Sequence, residues 1–573
     1  MAVLNPRNCL ICIIGRVRFR LLAVLLLLLV CLGCRRDEKR IATSSATETA
    51  VDEALPQDGG TLVRRLPLDV STLNPLMLSS RYDRYVANYL FTPVVYLDRS
   101  LQPIPGLADS WEISPDGLTY RFELNKKATF TNGKPVRASD VVYTLRKIAD
   151  PKTKAVQAYD AFVNMELNGT RAVDDDTLEV KFRQRLAAQL LRFNDVLVVP
   201  EEAYSAGNFE KDFVTQAVGS GPYELVRRQP GTEVVLRRRK DYWSERPHID
   251  QIVFKVVDDH ATAYNALKRG DLDESLIPSD TWLRERNNPQ ITRTINFQRF
   301  YALNYNYIAW NNRHPILKDK RVRRAMSMCV PIDAVIQNLY QGTARAMTGP
   351  FTPDDWAYNP TVPVVRYDPQ GAQELLGAAG WKDTNGDGVL DKGGKPFAFD
   401  LFIMTGAATS QQVGQLVQSE LKKIGVNVNV VLIEGATAIQ RMFGGNYDAA
   451  YLSWDMDPDP DPYALFHSSQ VPERGQNFVF YSNAEADRLM DEARRELDVS
   501  KRKDMYWRLH EILAEDQPYT WVVQVSYKWG LNRRVHGVLS SRGFGFFQWY
   551  PGELGWWIAQ PDPGGRTAVP AGS

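Results

Sequence analysis

The 573-residue chain is poor in the residues that most enzymes and metal sites rely on. It has six histidines (His248, His260, His314, His467, His510 and His536), and no two of them stand at metal-ligand spacing. No G-x-S-x-G, H-E-x-x-H or P-loop sequence occurs, so the common hydrolase, metalloprotease and nucleotidase signatures are missing. VGSGPY (218–223) has the glycines of a phosphate cradle without its lysine or its length, and reads as a tight turn entering the strand PYELVRR. Cysteine is scarcer still, with five in all. Cys9, Cys12, Cys31 and Cys34 follow zinc-ribbon spacing, but the segment between them is nearly pure leucine, where a ribbon needs turns and polar residues. Only Cys329 lies beyond them, which excludes an internal disulfide in a processed chain and reads as a small core residue. Neither sign of charge dominates: 69 basic residues face 68 acidic ones. Removing Arg7, Arg16, Arg18 and Arg20 of the first 33 residues takes the balance from +1 to −3, so no basic field exists to draw nucleic acid.

Long apolar runs are also absent, with one exception. LLAVLLLLLVCLG (21–33) is thirteen residues long, too short for a membrane span of about 20 but suited to the core of an export signal. It ends at Gly33-Cys34, which resembles a bacterial lipobox, although Cys31 stands where that motif prefers leucine. The resemblance implies that residues 1–33 are removed and that Cys34 is lipidated, anchoring the protein to a membrane. Residues 34–58 carry Ser, Thr, Ala and charge without apolar periodicity and read as a flexible tether, and 561–573 as a loose tail.

The body between is of ordinary globular composition, too long for one core, and alternates strand-like and helix-like segments. PFAFDLFIMTG (396–406) reads as a strand and TSQQVGQLVQSELKKIG (409–425) as a helix. The helix has Val413, Leu416, Val417, Leu421 and Ile424 on one face and Gly425 as its C-cap, and VNVNVVLIEG (426–435) follows as a second strand. That is a β-α-β unit and predicts a parallel strand pair in an α/β fold. Ser482 with Glu485 forms a capping-box pattern for another helix. DTNGDGVLDKGG (383–394) imitates a calcium loop, but Gly394 stands where the bidentate glutamate belongs, so an Asx-rich surface turn is the expectation.

The most unusual stretch is SWDMDPDPDPYALFHS (453–468), which packs Asp455, Asp457, Asp459 and Asp461 into seven residues. Pro458, Pro460 and Pro462 stiffen the segment and splay its side chains, which disfavours convergence on one metal ion. A carboxylate drawn into a cleft there needs a cation. The residues alone leave open which of the four supplies that carboxylate; the other three are expected to be solvated or capping.

Five blocks together resemble the extracytoplasmic solute-binding proteins of peptide ABC transporters, family 5, oligopeptide- and dipeptide-binding type. They are LNPL (73–76), the block from Gly106 to Arg146, VGSGPYEL (218–225), RVRRAMSMCVPIDAVI (321–336) and YDAAYLSWDMDPDPDP (447–462), in the family's order. The resemblance implies an α/β fold of the type II periplasmic-binding-protein kind, two hinged lobes plus an extra domain. It places one lobe at 59–90, 216–300 and 525–560, the extra domain at 91–215 and the second lobe at 301–524. It implies a monomer without enzymatic activity or cofactor, which binds a peptide and hands it to an inner-membrane ABC permease. Asp457 would pair with the ligand's ammonium, Trp454 would flank its first side chain, and Tyr305 and Asn306 of YALNYN (301–306) would offer backbone bonds. Some relatives carry an arginine three residues before this tryptophan, where this chain has Tyr451, so Arg345 and Arg366 are candidate partners for a ligand carboxylate. Other members of the family bind metal chelates, haem or sugars, which leaves a non-peptide ligand as the alternative and an exported hydrolase as a distant one.

Overall fold

The computed structural model describes residues 55–559 apart from 154, 156–157, 206–210, 215, 473, 543–544 and 546–547. The export segment, Cys34, most of the tether and the tail from residue 560 lie outside the described residues.

Three larger sheets organise the chain. In the first, Thr61–Leu66 pairs in parallel with Gln251–Val256, which continues antiparallel to Glu233–Arg238 and Tyr223–Gln229. The second is a small antiparallel sheet of Ala108–Ile113, Thr119–Leu124, Thr177–Lys181 and Arg171–Ala172. The third has eight strands, and its backbone is the 14-residue strand Tyr519–Asn532. The early half of that strand pairs with Asn304–Trp310 and Ala344–Ala346, and its late half with Ile295–Tyr301 and Glu274–Leu276. Two chain segments therefore cross side by side, at Ala302–Leu303 and near residues 523–526.

The β-α-β unit forms as its periodicity demands. Strands Ala398–Met404 and Asn427–Ile433 pair in parallel around helix Ala408–Lys422. Val413, Val417, Leu421 and Ile424 are buried, and Gly425 takes the left-handed φ of +79° that ends the helix. Two local expectations change. The helix after residue 482 is capped by Asn483, whose side chain accepts from the Glu485 and Ala486 N–H groups, because Asn483 stands one residue nearer the first turn than Ser482. Gly219 and Gly221 do not serve a turn with positive φ. A Cβ on Gly219 would lie 2.0 Å from the Leu90 carbonyl oxygen and one on Gly221 2.5 Å from the Leu90 carbonyl carbon, so both glycines let this segment pass against the end of helix Arg81–Leu90.

Arg323 of the RVRRAM helix (Lys320–Met328) is buried, and donates to the carbonyls of Leu317, Lys318, Asp516 and Gln517. It thereby satisfies the otherwise unpaired end of the long helix Val499–Asp516. Cys329 is fully buried in the neighbouring core, and burial pushes its thiol up to about 12, which suits an inert core residue. In the calcium-like loop the Asp383 carboxylate accepts from the Gly386 and Gly388 N–H groups and Asp391 from Thr384, the bonding of an Asx turn.

Candidate functional site

Four aspartates so close together repel one another unless each finds a positive partner, and no lysine or arginine lies between residues 442 and 473. The fold brings the cations from far away in sequence. Asp455 pairs with Arg81 at 2.8 Å, Asp457 with Arg192 at 2.6 Å, Asp459 with Arg502 at 2.6 Å and Asp461 with Arg494 at 3.2 Å. The four pairs differ in burial. Asp459 and Arg502 form a two-pronged bond sealed from solvent, with side chains only 8% and 5% exposed. Asp459 is therefore neither solvated nor a cap, contrary to the sequence expectation. Removing its guanidinium partner would strand a charge in the interior. Asp461 also accepts the Tyr463 N–H, opening the short helix Tyr463–Phe466. Asp455 and Asp457 remain more than half exposed.

These last two line a cavity of about 370 Å³. Its walls come from three parts of the chain. One contributes Arg65, Arg81, Tyr82, Tyr85 and Glu274–Leu276, another Ala188–Asp195, and the third Ala302, Leu303 and Asp455–Asp459. Phe300, Tyr527 and Trp529 add an apolar floor where the long strands cross. Most of the charges on these walls are held by several groups. Arg65 donates to the Val257 and Asp258 carbonyls, and Arg81 to both Asp455 and the Tyr527 hydroxyl. Glu274 accepts from Arg64 and from the Trp529 indole. Behind it Glu553 also pairs with Arg64, and burial pushes the Glu553 carboxyl up to about 7. Burial works against the Arg192 charge, but Asp457, then Asp195 and Asp459, outweigh it and hold its pKa above the usual arginine value.

Of the four residues expected to touch a ligand (Asp457, Trp454, Tyr305 and Asn306), Asp457 alone lines this cavity. Trp454 is half-buried in an aromatic cluster with Tyr307 and Phe478, its indole donating to the Tyr519 hydroxyl at 3.3 Å. Tyr305 is fully buried, and it and Asn306 sit on a strand flanked by Ala449–Asp455 on one side and the long strand on the other. Asn306 is paired along both edges, and Tyr305 on the edge facing Trp454. The nearest cavity-lining segment, Ala302–Leu303, has its carbonyls engaged by Asn304, Gln524 and Met456. Arg345 stacks over Tyr301 and pairs with Asp354, away from the lining. What the sequence reading missed are Arg81 and Arg192. The only signal for them was indirect, namely four carboxylates with no local cation.

Among the described residues no group of His, Cys, Asp and Glu is placed to hold a metal ion, and no helix is long and apolar enough to cross a membrane. With this geometry established, comparison with known proteins adds three findings. Residues 102–476 match the model of "Bacterial extracellular solute-binding proteins, family 5 Middle". The chain is 30% identical over 517 residues to the oligopeptide-binding protein AppA of Bacillus subtilis, covering 88% of this chain and 92% of that one. It is 27% identical over 484 residues to di/tripeptide-binding protein 1 of Pseudomonas aeruginosa, covering 79% and 86%. Its fold overlays that of AppA, solved with a nonapeptide, at a TM-score of 0.74 and 27% identity, covering 88% of this chain and all of that one. It overlays Campylobacter jejuni NikZ, solved with Ni(L-His), at a TM-score of 0.74 and 24% identity over the same shares.

Proposed function

Because this chain belongs to the bacterial extracellular solute-binding proteins of family 5, with the two-lobed α/β fold of that family, we propose that it captures peptides in the cavity around Asp457 and delivers them to an ABC permease for uptake. The observation that carries the reading is a half-exposed carboxylate in a concave, aromatic-floored cavity, already matched by a cationic group across the gap. A peptide's α-ammonium is the ligand group that fits the Asp457 carboxylate, as a charge-assisted bond in a partly desolvated site. The relatives are substrate-binding proteins by name, and family members act outside the cytoplasm. Our reading adds lipidation at Cys34, which would hold the body near the permease, and a monomeric state. It also divides the body as the sequence suggested: 59–90, 216–300 and 525–560 in one lobe, 301–524 in the other, 91–215 as the extra domain. The crossing of two strands near residues 302 and 525 supports that division, since bending there would open and close the cavity. Ligand capture would then shift the protein toward its closed form, which the permease reads.

A second reading has one observation in its favour. Three arginines on the cavity walls, Arg65, Arg81 and Arg192, would also suit an anionic chelate. Native mass spectrometry of the purified protein separates the two. The account expects a heterogeneous co-purifying mass of a few hundred daltons that fragments as peptides. A single metal-containing or haem mass would move the function to the second reading.

A further inference from the structure

The charged groups that line the cavity are not equally free. Arg65, Arg81 and Glu274 are each tied to two or more partners, and Asp459 is held by two bonds from the buried Arg502 guanidinium. Arg192 and Asp457 differ. Among the described residues each side chain has the other as its only hydrogen-bonding partner, through one bond from Arg192 Nη2 to Asp457 Oδ2 at 2.6 Å. Both face the 370 Å³ cavity, with side chains 29% and 57% exposed, and they come from walls 265 residues apart in sequence. Arg192 ends the short helix Gln189–Arg192, whereas Asp457 sits on the proline-stiffened segment.

An ion pair with no other anchor opens at low cost when both charges are re-paired, and at high cost when only one is. A ligand bringing only an ammonium to Asp457 leaves the Arg192 guanidinium short of an anion. Of the other wall carboxylates near it, Asp195 already leans on Arg84 at 3.7 Å and Asp459 is held by Arg502. A ligand with an ammonium and a carboxylate close together re-pairs both halves. We propose that Arg192 is the specificity-determining residue for the ligand's free carboxylate, and that short zwitterionic peptides open the Arg192–Asp457 pair and take one half with each terminus. The proposal rests on the peptide reading above. An extended chain rises ~3.3–3.6 Å per residue, so two or three residues separate the termini by about 7–10 Å, within the swing of one arginine side chain. The planar fork of Arg192 suits two-pronged carboxylate binding.

The test uses the purified protein and three matched pools of di- and tripeptides of Ala, Leu, Lys and Glu, one unmodified, one C-terminally amidated and one N-acetylated, with binding read by competition and native mass spectrometry. Wild type should favour the unmodified pool over the amidated pool by on the order of 10- to 100-fold. Arg192→Gln should lose that preference while still rejecting the N-acetylated pool, and Arg192→Lys should recover part of it. Equal binding of unmodified and amidated pools by wild type overturns the proposal and leaves the peptide reading standing. Binding of no pool by wild type overturns both. A preference that Arg192→Gln keeps in full also overturns the proposal, and the wild-type comparison can overturn it even if the Arg192 variants fold poorly.

Discussion

At the scale of single residues, His510 shows how burial sets a charge state. Its ring is fully buried, Nδ1 accepts the Asn359 N–H at 3.1 Å, and Nε2 lies 3.0 Å from the Thr348 hydroxyl. A second ring proton would point at the Asn359 N–H, and burial holds the pKa down to about 4 from 6.5. The unfolded chain therefore binds this proton first as pH falls, and the stability it supports is present above pH 6.5 and lost through pH 4. Wild type should lose about 2 kcal/mol through this group between pH 7 and pH 5, and His510→Gln should lose that slope. Urea unfolding of both proteins at the two pH values checks it, and equal slopes would refute it. Glu553 and Asp355, both raised to about 7 by burial, act with the opposite sign, so the difference between the two proteins is the informative quantity.

Also at this scale, the aspartate cluster marks where sequence reasoning stopped. The sequence shows four stiffly held carboxylates and therefore a demand for cations. It cannot show which cations answer, because Arg81, Arg192, Arg494 and Arg502 reach the segment only through the fold. Trp454 and Tyr305 meet a related limit. An aromatic beside a binding carboxylate looks the same in sequence whether it faces a cavity or a core, and here Tyr305 lies in the core while half-buried Trp454 packs against it.

At the scale of elements, local pattern carries further. The β-α-β unit from Ala398 to Ile433 was legible because its helical face, its glycine stop and its alternating strand all agreed. The role of the RVRRAM helix was not legible, since Arg323 acts on the end of a helix almost 200 residues away. Replacing it, as in Arg323→Met, leaves several buried carbonyls without a donor and should cost on the order of 3 kcal/mol, lowering the midpoint of denaturant unfolding at unchanged slope. Exposed Arg321 on the same helix is the control, with a change expected within about 0.5 kcal/mol.

At the scale of the whole molecule, the two crossing strands and the cavity beside them form one mechanical unit. Phe300, Tyr527 and Trp529 stand on those strands and floor the cavity, so what fills the cavity touches the segments along which the body would bend. The aspartate segment reaches across to Arg81 and Arg192, so its charges report whether the walls are together. That geometry makes Asp457 the centre of the account. The most direct measurement is native mass spectrometry of peptide occupancy in wild type, Asp457→Asn and Asp455→Asn, purified side by side. The account predicts peptide-loaded wild type and Asp455→Asn and a largely empty Asp457→Asn. An Asp457→Asn protein that keeps its peptides as well as wild type does would contradict it.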